Sequence, residues 1–227
     1  MMKPDPRYID CPIEYPLDTV VLVSGGVDSL INADNNPEAT LLFVDFHSDA
    51  ENELRTCRTL FSNRSLRIVT VTTKWPSADG FFVPARNLML ATMAVPYGSN
   101  IIIGAMKDDH SIDKTPLAIS QMSAILSLQS GRPVVVTAPL NNTYKFDAVR
   151  QYATTPMRIE RMKRTWSCYT TKSERCYDCK ACFRWSVALN MAGIEVPKPS
   201  ERISEFFLER LELFDRPEQE AIVMVCT

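Results

Sequence analysis

Glycine is scarce in this 227-residue chain, with seven residues, about 3% where roughly 7% is usual. That excludes generically glycine-rich loops and makes the one adjacent pair, Gly25-Gly26, conspicuous. Histidine is scarcer, only His47 and His110, and single loop histidines are mostly surface groups, so neither is assigned a catalytic role. No apolar run approaches the roughly 18 residues a membrane helix needs, and no apolar stretch follows the charges in Met1-Met2-Lys3-Pro4-Asp5-Pro6-Arg7. The expectation is a protein without membrane association in a reducing, cytoplasmic setting. Lys and Arg number 25 against 27 Asp and Glu, a net charge of −2, which argues against a protein that grips nucleic acid over its whole surface. Seven cysteines, about 3%, fall short of the roughly 8–10% of a small disulfide scaffold, and their odd number resists full pairing. With 45% hydrophobic residues, a chain of this size can bury a core without such staples.

Short apolar or β-branched runs recur at residues 19–23, 40–45, 67–73, 100–104 and 133–137, each the length of a strand buried on both faces. Helical stretches alternate with them. Leu54, Cys57, Leu60 and Phe61 share one face, Pro84 stands where a helix can start, and Leu117, Met122, Ile125 and Leu128 form another stripe. The alternation predicts an α/β fold, a parallel sheet with helices on both faces and ligands at the carboxyl ends of the strands. Asn35-Asn36-Pro37 stops the first helix about two turns after Ser29. After Leu140 the pattern turns helical and carries a cysteine cluster, and an amphipathic helix follows near residues 200–214 with Ile203, Phe206, Phe207, Leu211 and Phe214 on its apolar side. Residues 145–184 hold ten Lys or Arg and four Asp or Glu, a +6 segment set against −8 elsewhere.

Val20-Val21-Leu22-Val23 runs into Ser24-Gly25-Gly26-Val27-Asp28-Ser29 and then into a helix. Amides at a helix start, glycines that permit close approach and flanking hydroxyls form an anion cradle suited to phosphate. No Gly-Lys-Ser/Thr follows, so this is not a Walker A loop; the plainer reading is a tight strand-to-helix turn. Asp28 can hold Mg²⁺ between phosphates or cap the helix.

Cys168, Cys176, Cys179 and Cys182 follow the spacing Cys-x7-Cys-x2-Cys-x2-Cys. Two overlapping C-x-x-C turns bring three thiolates to one ion and the longer loop returns the fourth, a saturated tetrahedral set suited to structural Zn²⁺. An iron–sulfur cluster also suits four cysteines. Cys11, Cys57 and Cys226 have no partners at ligand spacing and read as bystander thiols.

The order Ser-Gly-Gly-x-Asp-Ser resembles the pyrophosphate loop (PP-loop) of the ATP pyrophosphatase superfamily, whose members split ATP between its α and β phosphates and leave AMP on a substrate oxygen. Phe82-Val83-Pro84-Ala85-Arg86-Asn87-Leu88, Ile102-Ile103-Gly104, Pro139-Leu140 followed by Lys145, and the cysteine cluster occur in the order and spacing of the 7-cyano-7-deazaguanine synthase (QueC) family, over roughly residues 18–190. The resemblance implies an adenine nucleotide α-hydrolase-like, Rossmann-like fold, with a PP-loop ATP-binding domain over residues 1–140 and a helical zinc region over 141–227. It implies ATP with Mg²⁺, 7-carboxy-7-deazaguanine and ammonia as substrates, a structural Zn²⁺ and a homodimer. Ser24, Gly25, Gly26, Val27, Asp28 and Ser29 would hold the nucleotide, and Arg86, Asn87 and Lys145 would act on phosphates or carboxylate. Rival readings are a tRNA-modifying enzyme of the thiolation or lysidine type, with the +6 segment as RNA footprint, and a variant that stops at the amide or conjugates the activated deazaguanine. Three departures bear on the substrate: Phe46-His47-Ser48-Asp49-Ala50 where the family has Tyr-x-Gln-Arg-His, Asp113-Lys114-Thr115-Pro116 where it has Pro-Asp-Cys-Arg, and Ala85 for a glycine. Asp108, Asp109, Ser111 and Asp113 are placed to touch substrate or to form a solvated acidic turn.

Overall fold

The computed structural model describes residues 18–45, 51–71, 85–170 and 172–227. Cys11, the 46–50 segment with His47, and the Pro84 helix start lie outside them. Five strands, β1 (Thr19–Leu22), β2 (Thr40–Asp45), β3 (Leu66–Thr70), β4 (Asn100–Ile102) and β5 (Val135–Thr137), alternate with α1 (Val27–Asn35), α2 (Glu51–Leu60), α3 (Arg86–Ala94) and α4 (Pro116–Ser130). Five further helices follow: α5 (Lys145–Tyr152), α6 (Pro156–Lys163), α7 (Lys180–Met191), α8 (Glu201–Leu208) and α9 (Arg216–Cys226). The strands form one parallel sheet in the order β3-β2-β1-β4-β5. The strand order reverses between β1 and β4, the switch point where an open α/β sheet leaves a crevice beyond its carboxyl ends. The α/β class read from the sequence holds.

Parallel strands need both faces covered, and two cores do this. On one face Val21, Leu41 and Phe43 pack with Leu30, Cys57 and Phe61, and with Val149, Met162, Trp185 and Leu189 from α5 to α7. On the other, Val20, Leu42 and Ile101 pack with Ala91 and Ala94 of α3 and with Ile119, Met122 and Leu126 of α4. Full burial of one such aliphatic side chain contributes about 1.5–3 kcal/mol. A third cluster joins Phe183 and Val187 of α7 to Ile203 and Phe207 of α8 and Ile222 of α9.

Several sequence expectations need correction. β1 and β4 stop one and two residues before their expected carboxyl ends, β5 starts two residues later than expected, and β2 spans its expected range. β3, expected to be buried on both faces, is the sheet's edge, with Ile68 40% exposed. On α4 the expected stripe has the wrong phase, because this helix is apolar nearly all round. Met122 is buried, but Leu117, Ile125 and Leu128 face outward while Ile119 and Leu126 face the sheet. The helix expected over 200–214 ends at Leu208; a short 3₁₀ turn follows, then α9, which starts behind the Asp215 cap. No helix among the described residues is long and apolar enough to cross a membrane.

Two glycines separate packing from backbone strain. A Cβ on Gly98 would lie 2.2 Å from the Asp18 carbonyl oxygen, which accepts hydrogen bonds from Ser99 and Asn100 at the start of β4. Gly131 ends α4 at φ +65°, and a Cβ there would meet nothing within 4 Å, so only its left-handed backbone resists substitution. Gly131→Ala should therefore cost about 1 kcal/mol and Gly98→Ala about 3 kcal/mol in urea unfolding. Equal midpoints for the two variants would refute this account.

Candidate functional site

The crevice at the switch point begins with a helix that has no side-chain cap. Gly26 is the N-cap of α1 in extended conformation, and it has no hydroxyl or carboxylate to satisfy the first amides. Ser29 turns inward: its Oγ accepts from the Ser24 amide at 2.9 Å and lies 3.1 Å from the Ser24 Oγ. Gly25 takes φ +77°, and a Cβ there would meet the Glu53 carbonyl oxygen and Thr56 at 3.1 Å. The Gly25 carbonyl accepts the Trp166 amide at 2.7 Å. The loop is thus held open from behind, with unsatisfied amides and two hydroxyls facing the crevice. The positive end of α1 favours an anion there.

Lys145, at the start of α5, puts its Nζ 3.2 Å from Asp28 and 3.9 Å from Asp109. Asp109 also takes Lys114 at 2.7 Å and Arg184 at 3.0 Å, and Arg184 reaches Asp108 at 3.2 Å. The turn after β4 is therefore a buried charge hub, not a solvated acidic turn; the Lys145 amide also donates to Asp108 at 3.0 Å. Burial opposes the charge of Asp109, but Lys145, Lys114 and Arg184 outweigh it and hold the carboxyl well below the usual range. Burial likewise opposes the charge of Lys145, but Asp28 and Asp109 hold its pKa above the ordinary lysine value. Gly104 brings the end of β4 against Asp28, where a Cβ would lie 3.1 Å from the Asp28 Cβ.

Arg86 and Asn87 open α3 on the opposite wall. Ala85 precedes them at φ +56°, a left-handed conformation that costs a non-glycine residue about 1–2 kcal/mol. Asn87 is buried and donates to Asp113 at 2.7 Å. Ser24, Gly26, Val27, Asp28, Ser29, Arg86, Asn87 and Lys145 all line one cavity of about 810 Å³, while Gly25 packs behind it against α2. Sequence reasoning missed Arg184, Tyr169 and Glu53, which line the same cavity. Burial pushes the Glu53 carboxyl up to about 7, with Arg86 opposing and Asp45 reinforcing the rise. His110 also lines the cavity and pairs with Glu218 of α9 at 2.9 Å.

The four cysteines converge as their spacing predicts. Their sulfurs all lie within 4.8 Å of one another, with Cys168–Cys176 at 3.4 Å and Cys176–Cys182 at 3.8 Å. A tetrahedral ion with metal–sulfur bonds of about 2.3 Å needs sulfurs about 3.8 Å apart, so the set fits a metal. Backbone amides supply charge to the sulfurs: Thr170 and Cys176 donate to Cys168, Asp178 to Cys176, and Cys182 to Cys179, at 3.4–3.5 Å. Cys57 and Cys226 are free thiols apart from this cluster.

A doubly wound sheet with an anion cradle after its first strand is the frame of the PP-loop class of nucleotide-binding proteins. Within that class the family model described as "Queuosine biosynthesis protein QueC" matches residues 73–193, over half of the chain, and the chain belongs to that family. It is 29% identical over 157 residues to 7-cyano-7-deazaguanine synthase 2 of Colwellia psychrerythraea, covering 64% of this chain and 70% of the relative. It is 28% identical to the 7-cyano-7-deazaguanine synthase of Thermosynechococcus vestitus over 52% of this chain and 54% of that one. The corresponding match in Marinomonas is 28% identical over 44% of this chain and 48% of the relative, so the chain spans about half the length of these last two. A solved structure described as a predicted subunit of tRNA methyltransferase from Methanocaldococcus jannaschii overlaps 56% of this chain and 70% of its own at 16% identity, with a TM-score of 0.42.

Asp109 offers a direct test of the hub. Removing its charge leaves Lys114, Lys145 and Arg184 crowded around a neutral group, so Asp109→Asn should cost about 3 kcal/mol at neutral pH. Because the folded pKa is depressed, the stabilisation is complete above the ordinary aspartate value near 4 and is lost as pH falls toward the folded value. Urea titrations from about pH 7 to about pH 3 should show the wild-type advantage over the variant shrinking on acidification. An advantage independent of pH would contradict the hub.

Proposed function

We propose that the chain is an ATP-dependent ligase that forms C–N bonds, converting 7-carboxy-7-deazaguanine and ammonia to 7-cyano-7-deazaguanine. The carboxylate attacks the α-phosphate of ATP, pyrophosphate leaves into the Ser24–Ser29 cradle, and ammonia displaces AMP to give an amide. A second ATP activates the amide oxygen, and loss of AMP leaves the nitrile. The observation that carries this reading is that the uncapped loop, Arg86 and Lys145 share one cavity at the switch point.

The roles of the residues are chiefly electrostatic and positional. Loop amides from Gly25 to Ser29, with the Ser24 and Ser29 hydroxyls, receive the phosphate oxygens, and Lys145 opposes the charge that grows as the α–β bond breaks. Asp28 is placed to turn from Lys145 toward the Mg²⁺ that accompanies ATP. Arg86 faces the carboxylate or the α-phosphate as a fork donor. Asn87, held by Asp113, keeps the α3 start in place beside it.

Cys168, Cys176, Cys179 and Cys182 hold a structural Zn²⁺ in this reading, with no open position for a catalytic water. The ion supplies folding energy and orders the loop between α6 and α7; comparable sites contribute about 10–16 kcal/mol in zinc-finger peptides. Residues 1–140 serve as the nucleotide domain and 141–227 as the helical zinc region, in a cytoplasmic homodimer. Arg161 pairs with Asp34, Arg175 lies over the Trp185 ring, and Lys145 and Arg184 serve the charge hub. That inward use of four of the segment's ten cations reduces the charge it offers to RNA and favours a small-molecule substrate, although Arg150, Lys163, Arg164, Lys172 and Lys180 stay exposed. The Asp113 and Lys114 contacts, which occupy the place of the family's Pro-Asp-Cys-Arg stretch, keep alive a variant that stops at the amide or conjugates the activated deazaguanine.

The test is incubation with ATP, Mg²⁺, 7-carboxy-7-deazaguanine and ammonium, with every product weighed by mass spectrometry. AMP, pyrophosphate and the nitrile are expected, and Lys145→Ala should slow AMP formation about 100-fold. Absence of both AMP and pyrophosphate overturns the ligase; an amide end product revises only the last step. Elemental analysis should find zinc near one per chain, lost in Cys182→Ser, and iron with visible charge-transfer absorption would reject the zinc assignment.

A further inference from the structure

Glu53 lies on α2, whose backbone presses against the loop at Gly25. Glu53 lines the same cavity as Ser24, Arg86 and Lys145. Among the described residues none hydrogen-bonds its carboxylate, and the charged or titratable groups that face it are Arg86 from α3, Asp45 at the end of β2 and Cys57 a turn along α2. The other carboxylates of the loop and hub are already committed: Asp28 to Lys145, Asp108 to Arg184, and Asp109 to Lys114, Arg184 and Lys145. A carboxylate held by three cations is a poor base, whereas one raised by burial and by Asp45 against the single cation Arg86 is a better one.

We propose that Glu53 accepts the proton that ammonium must lose before its nitrogen can attack the adenylated carboxylate. Ammonium has no lone pair, and a buried cation is drawn to an uncommitted carboxylate. In the step, one N–H bond of ammonium breaks and its proton joins the Glu53 oxygen. The freed lone pair forms the C–N bond at the acyl carbon, the C–O bond to the phosphate breaks, and AMP leaves with that electron pair. A second proton passes from nitrogen to water, giving the neutral amide. Burial raises the Glu53 carboxyl to about 7, so both of its forms are populated near neutrality and proton transfer in either direction is cheap. The α2 backbone, packed against the loop at Gly25, sets this base beside the cradle.

The inference rests on the ligase reading, and two measurements on the full chain separate them. Carboxylate-dependent pyrophosphate release reports activation alone; kcat/KM for ammonium, followed from about pH 6 to about pH 8, reports proton removal. Wild-type kcat/KM should rise through about pH 7 and then level. Glu53→Gln should lower it about 100-fold at neutral pH and replace the plateau with a rise of about tenfold per pH unit, the trend of free ammonia, while pyrophosphate release stays within about threefold. Hydroxylamine, already unprotonated at neutral pH, should restore turnover in Glu53→Gln as hydroxamate. Equal losses with ammonium and hydroxylamine, or an unchanged pH profile, overturn the role of Glu53 and leave the ligase standing. No pyrophosphate release in the wild type overturns both.

Discussion

The site depends on a buried ammonium. Lys145 carries its charge on a side chain only 15% exposed, and it does so because Asp28 and Asp109 outweigh the cost of desolvation. Each partner comes from a different part of the fold: Asp28 from the loop after β1, Asp109 from the turn after β4, Lys145 from the start of α5. Arg184 of α7 closes the set from a fourth direction. Remove the lysine and Asp28 loses its ion-pair partner while Asp109 keeps only Lys114 and Arg184, a penalty comparable to the loss of a large core side chain. The geometry of the switch point is thus enforced electrostatically, over a scaffold that the two apolar cores supply.

A second constraint works from behind the loop. Trp166 donates its amide to Gly25, its indole N–H donates to the Cys168 carbonyl at 3.1 Å, and Cys168 is one of the four converging sulfurs. On the other side of the loop, Asn52 of α2 donates to the carbonyls of Thr170 and Lys172 in the cysteine-bearing segment. The cysteine cluster and the anion cradle are therefore neighbours, through the Trp166 hydrogen bonds on one side and through α2, which packs against Gly25, on the other, although no cysteine among the described residues lines the cavity. A metal ion held by the four sulfurs would stiffen the wall on which the loop leans, which would give a thiolate site a reason to sit beside the cradle without lining it.

The features legible from the sequence were those written locally. Ser24 to Ser29 and the four cysteines are short-range patterns, and their spacing alone determines where amides and sulfurs can point. The strand–helix alternation was likewise local, and it was enough to imply a parallel sheet and a crevice. The features that escaped depend on residues far apart in the chain. Arg184 looks like a surface charge, and Asp109 reads equally as a substrate contact or a solvated acid, until α7 folds back over the β4 turn, and Glu53 looks like any first-turn acid of α2 until the loop closes over its backbone. Helix α4 is misphased for another reason: with apolar residues on every side, no stripe distinguishes the face that meets the sheet. Ala85 shows the limit from the opposite direction, since a missing glycine reads as a departure from the family while the backbone keeps the left-handed turn that glycine favours.

Two carboxylates at one site, placed in opposite surroundings, would divide the proposed chemistry between them. Asp109 is ringed by cations and stays ionised at any working pH, so it can balance charge but cannot move protons. Glu53 has lost water without gaining a close cation, so its proton is exchangeable near neutrality. A reaction that first builds negative charge on phosphate and then consumes a protonated amine needs both environments, and needs them apart. The cations of the hub would quench a base placed among them, and a base beside the leaving pyrophosphate would compete with Lys145 for the same oxygen charge. Placing Glu53 on α2 and the hub on α5, α7 and the β4 turn puts these roles on different walls of the cavity. That arrangement follows the strand order: β2 and β4 flank β1, and α2 meets the loop at Gly25 while the chain after β4 meets it at Asp28.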